Sequence, residues 1–86
     1  MEDILPIRGD DGIWQDMLHT TDYLHLATDL HVIIAGKTGE WHPKVRGYDD
    51  GAEIGVAYYD MVFPKKADAS RIASAMLRRV KAMRRV

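Results

Sequence analysis

The chain is 86 residues long, contains no cysteine, and sets 12 lysines and arginines against 13 carboxylates for a net charge of −1. That length suits one domain, 1–86, with a modest core. The missing cysteines exclude disulfides, thiolate zinc sites, iron–sulfur clusters and thiol catalysis.

The near-neutral total hides a polarity. Residues 1–30 sum to −6, residues 31–60 to −2 and residues 61–86 to +7. Such segregation points to contact with a charged partner, or to one end of the chain packing against the other. The first residues, MEDILPIRGDDGIW, form no secretory apolar region. The longest uncharged apolar run, VIIAG, is far below the roughly 18 residues that suggest a membrane span. A soluble cytoplasmic protein is the expectation, with no membrane contact.

The first segment, GDDGIWQDMLHTT, predicts a short helical element. Asp10 or Asp11 can accept from the free N–H groups of a first turn, and Ile13, Trp14, Met17 and Leu18 share one face at helical spacing. The following DYLHLATD fits either a strand or a turn of helix. From Leu30 the β-branched run LHVIIAG alternates and predicts a strand. GKTG then supplies a hairpin turn. EWHPKVRGY returns with Trp41 and Val45 on one face and His42, Lys44, Arg46 and Tyr48 on the other. Pro43 cannot donate to a ladder, which predicts an edge strand or a bulge there. After the DDG turn, EIGVAYYDMVF predicts a third strand, bulged near Tyr59, with the adjacent Tyr58 and Tyr59 on opposite faces.

FPKKADAS reads as a helix start, with Pro64 ending the strand and Asp68 favouring the first turn. The helix is expected from about Lys66 to Arg84. On a wheel, Ala69, Ile72, Ala73, Met76, Leu77, Val80 and Met83 make one apolar stripe roughly 140° wide. The expected fold class is therefore α+β: a three-stranded antiparallel meander packed by one C-terminal amphipathic helix, with a short N-terminal helical element.

Opposite the stripe lie Arg71, Arg78 and Arg85, about 10 Å apart along the axis, with Lys81 beside them. No acid follows Asp68, so these cations repel one another unless an anion answers them. The anion is the chain's own acids, a partner's carboxylates or a phosphate backbone. Arginine pairs bidentately with either of the last two.

Other motifs fall away. AGKTG lacks the earlier glycine of a phosphate-binding loop, because His31 stands at that position. His19, His25 and His31 are spaced by six, which matches no zinc pattern. Ser70 and Ser74 have no base nearby, and a small chain leaves little room for a substrate pocket beside its core. No enzyme, metal or cofactor is expected. The stretch GEWHPKVRGYDDG followed by FPKKADAS resembles the N-terminal arm-binding domains of tyrosine-type integrases. That resemblance implies three strands and a helix, with Lys44, Arg46 and Tyr48 carrying major-groove contact.

These observations lead to a non-enzymatic interaction protein that docks on a larger protein complex as a regulator or inhibitor. Lys44, Arg46, Arg71, Arg78, Lys81 and Arg85 are its candidate contact residues. Asp10, Asp11, Asp16 and Asp22 are a candidate acidic partner surface, able to mimic phosphate. In size and charge, small phage-encoded inhibitors of nucleic-acid machinery, anti-CRISPR proteins included, are chains of this kind. The alternatives are direct DNA or RNA binding through the basic helix face and the Lys44–Arg46 strand, and a homodimer built on the helix or an edge strand.

Overall fold

A computed structural model describes residues 12–21 and 23–83. Its strands are β1 (Leu18–Thr20), β2 (Asp29–Lys37), β3 (Glu40–Asp49) and β4 (Ala52–Tyr59), followed by the helix α1 (Lys66–Met83). The strands pair antiparallel in the order β1-β4-β3-β2. The α+β class and the C-terminal helix agree with expectation. The strand count does not: among the described residues the sheet has four strands, not three.

The extra strand comes from the segment expected to be helical. Gly12 takes a positive φ of 84°, and among the described residues of this segment one 3-10 turn, Gln15–Met17, is all the helix that forms. Leu18–Thr20 then extends along β4, with Leu18 opposite Tyr59 and Thr20 opposite Ala57. A helix of two turns is marginal alone, whereas an open strand edge offers backbone partners at once. The inward residues still point inward: Ile13 is fully buried, and Met17 and Leu18 pack on the core. The undecided stretch around Leu24 is a second 3-10 turn, Leu24–Leu26.

Both hairpins follow their turn chemistry. Asp50 and Gly51 take φ of 54° and 83° between paired Asp49 and Ala52, the double left-handed geometry that a two-residue Asp-Gly loop favours. Thr38 and Gly39 link Lys37 to Glu40.

The strand carrying Pro43 is central, not an edge. Trp41 exchanges two backbone hydrogen bonds with Phe63, at 2.8 and 2.9 Å. Backbone groups of alternate residues point the same way, so the nitrogen of residue 43 also faces the β4 side. There the ladder has stopped at Lys44–Tyr58 and resumes only at the Trp41–Phe63 bridge. Pro43 sits in the interruption, where no donor is needed. The register shift along β3–β4 lies at Gly47/Tyr48, rather than near Tyr59.

Opposed residues share a face, and the helix covers the face bearing Val45, Ala57 and Tyr59. These meet Ile72, Ala75, Met76 and Val80 of α1, with Ile13 and Leu24 closing the ends of the core. The helix is turned slightly from the expected stripe. Ala75 is buried, Leu77 is half-buried and Met83 is 45% exposed. Gly47 and Gly55, paired on this face, leave room for the second 3-10 turn. A Cβ on Gly55 would stand 2.7 Å from the Leu24 nitrogen.

Candidate interaction surface

The second face of the sheet has no layer over it among the described residues. By register it carries His19 of β1, Val56 and Tyr58 of β4, His42, Lys44, Arg46 and Tyr48 of β3, and His31 and Ile33 of β2. β-Branched and aromatic residues fit the pleat here as they do on the covered face, but among the described residues no layer packs over them. His19 stacks on Tyr58 with ring centroids 5.1 Å apart, and its Nε2 lies 2.7 Å from Asp60 Oδ2. His31 meets Tyr48 edge to face at 5.0 Å. Arg46 Nε stands 3.8 Å from Glu53 Oε1 across the strand pair.

At the β1 end of this face, Asp60–Val62 leave the ladder beside Pro43. The departure opens a cleft of about 410 Å³ lined by His42, Lys44, Val56, Tyr58, Met61 and Val62, among others. Tyr58 is 41% exposed, Met61 37% and Val62 47%. Lys44 lies half-buried between these apolar groups, with no carboxylate in ion-pair distance among the described residues.

The helix cations occupy a different side. Arg71, Arg78 and Lys81 are exposed on the surface of α1 turned away from the sheet. Arg71 reaches Asp68 one turn back, 3.6 Å away. Arg78 and Lys81 have no such partner among the described residues. Arg79, which borders the apolar stripe, turns inward and donates from Nη2 to the Ile13 carbonyl at 3.4 Å. Lys66 lies over the Trp41 ring, 5.1 Å from its centroid.

The structure therefore separates residues that the DNA-binding expectation joined. Lys44 and Arg46 lie on the open sheet face, while Arg71, Arg78 and Lys81 lie behind the opposite layer of a molecule extending 41 × 39 × 19 Å. A straight ligand meets one set or the other. Of the acidic group, Asp16 is exposed in the first 3-10 turn. Asp10, Asp11 and Asp22 lie outside the described residues, as does Arg85.

Among the described residues, no cluster of three histidines or carboxylates is placed to hold a metal, and no helix is long and apolar enough to cross a membrane. Sequence reading missed the His19–Asp60 pair and the cleft. Tyr58 was readable from its alternation with Tyr59, but the meeting of His19 with Tyr58 depends on the β1–β4 register. Comparison with known protein families, with curated proteins and with solved structures returns no match to this chain.

Proposed function

We propose that this chain is a non-enzymatic interaction protein that docks on a larger protein partner through the open face of its sheet, as a regulator or inhibitor. One observation carries the reading: the cleft where exposed Tyr58, Met61 and Val62 surround a Lys44 that has no ion pair among the described residues. Aromatic residues and methionine are enriched at protein interfaces, and anchors in pockets supply most of the binding energy. The partner this surface fits presents an apolar side chain flanked by a carboxylate. The side chain fills the cleft, the carboxylate meets Lys44, and Arg46 extends the charge along β3. The helix cations then steer the approach without being buried, since rim charges act mainly on association rate.

Affinity capture with Tyr58→Ala and Lys44→Glu variants tests the reading. Both should lose the partner that the wild-type chain retains, with fold intact by circular dichroism. Loss caused by an Arg71/Arg78/Lys81 triple change to Glu, with Tyr58→Ala still active, would instead place the contact on α1.

A second reading is single-stranded nucleic acid on the same face, favoured by Lys44 beside the stacked His19–Tyr58 pair and Tyr48. Base stacking on aromatic rings and backbone pairing with cations use this combination. Titration with DNA and RNA at two salt concentrations separates the two. Nucleic-acid binding through about three phosphates gives a log–log slope near −2 to −3, whereas no binding at low salt removes this reading.

A further inference from the structure

Strand β2 ends the sheet, and among the described residues no strand pairs with its outer edge. Free edges are normally blunted by proline, bulges, short length or charges along the strand. β2 has none of the first three. It runs nine residues, DLHVIIAGK, and pairs with β3 without a register break. Its only Asp, Glu, Lys or Arg residues are Asp29 at one end and Lys37 at the other.

The direction of its free groups follows from the ladder. Trp41 points its backbone N–H and C=O toward Phe63, so His42, Lys44 and Arg46 point theirs toward β2. Their partners Ala35, Ile33 and His31 answer them. The N–H and C=O groups of Leu30, Val32 and Ile34 therefore face outward. The side chains of these three residues lie on the helix-side face, where Val32 is 38% exposed at the rim of the core.

We infer that the chain forms a twofold dimer in which β2 pairs antiparallel with β2 of a second copy, centred on Ile33. That register places Asp29 of each copy opposite Lys37 of the other. Val32 falls opposite Ile34, and these two positions carry the outward hydrogen-bonding groups. Leu30 lies opposite Gly36, and Ile33 meets its own symmetry mate on the open face. Sliding the register by two residues either way separates Asp29 from Lys37 at both ends and shortens the paired ladder, so charge and length choose the same alignment. On the helix side, Val32 and Ile34 of both copies close the rim of the two cores. The result is one continuous eight-stranded sheet with both helices on one face. Both docking faces stay uncovered, so this inference stands or falls separately from the proposed docking function.

Sedimentation equilibrium from about 1 μM to 1 mM at low salt tests it. The wild-type chain should dimerise within that range. Val32→Pro removes an outward N–H while sparing the β3 ladder, and should be monomeric throughout. Asp29→Lys and Lys37→Asp each set like charges opposite one another twice in the dimer. Each should weaken it about tenfold at low salt, and the double variant should recover most of the loss. A wild-type chain monomeric at the highest concentration would overturn the inference. So would a dimer indifferent to both charge reversals, which decide the matter even if Val32→Pro fails to fold.

Discussion

The two faces of this sheet are built from alternate residues of the same strands, yet one is closed and the other open. On the helix side, Val45, Ala57 and Tyr59 are buried and meet Ile72, Ala75, Met76 and Val80 of α1. On the other side, Lys44, Tyr58 and Val56 differ from them by one step along the chain, and among the described residues no second layer encloses them. An antiparallel sheet needs only one covered face to be stable. The second face is then released from packing and free to carry rings and charges chosen for contact. The comparison explains why the proposed docking surface is placed on the open sheet face rather than on the most basic segment.

The sharpest way to break this contrast is to truncate matched residues on each side and follow urea unfolding. Met76→Ala removes a fully buried side chain of the core and should destabilise the fold by about 2–4 kcal/mol. Gly55→Ala comes next. Its Cβ would press on Leu24 backbone atoms at 2.7 and 2.8 Å, and overpacking of this kind costs about 1–3 kcal/mol. On the open face, Tyr58→Ala should change stability by about 1 kcal/mol or less, the scale of its stacking with His19, while abolishing partner capture. If Tyr58→Ala unfolded the chain as Met76→Ala should, the open face would be structural and the docking proposal would lose its basis. The smallest effect belongs to Asp60→Asn. It breaks an exposed pair with His19 worth about 0–1 kcal/mol, and the difference should fade in high salt.

Much of this architecture was written in local patterns. The period of α1, the Asp50–Gly51 turn and the alternation of β3 each depend on residues a few positions apart, and each appears as expected. Alternation alone also separated Tyr58 from Tyr59. The failures share a cause. Ile13, Trp14, Met17 and Leu18 have helical spacing, but the spacing of four apolar residues cannot announce that β4 holds an unpaired edge 40 residues later. Pro43 forbids one donor, but only the departure of Asp60–Val62 from the ladder reveals that none is wanted there.

The same division runs through the candidate site. The chain by itself determined that a cationic, amphipathic helix follows an antiparallel hairpin and that Lys44 and Arg46 share a face, because both periodicities are properties of the backbone. Only the tertiary structure decided that the helix lies on the opposite face. It thereby separated Arg71, Arg78 and Lys81 from Lys44 and brought His19, Tyr58 and Asp60 together. The physical reason is that a sheet has two sides, and which one receives the helix is decided by the summed burial of residues distant in sequence rather than by any local pattern.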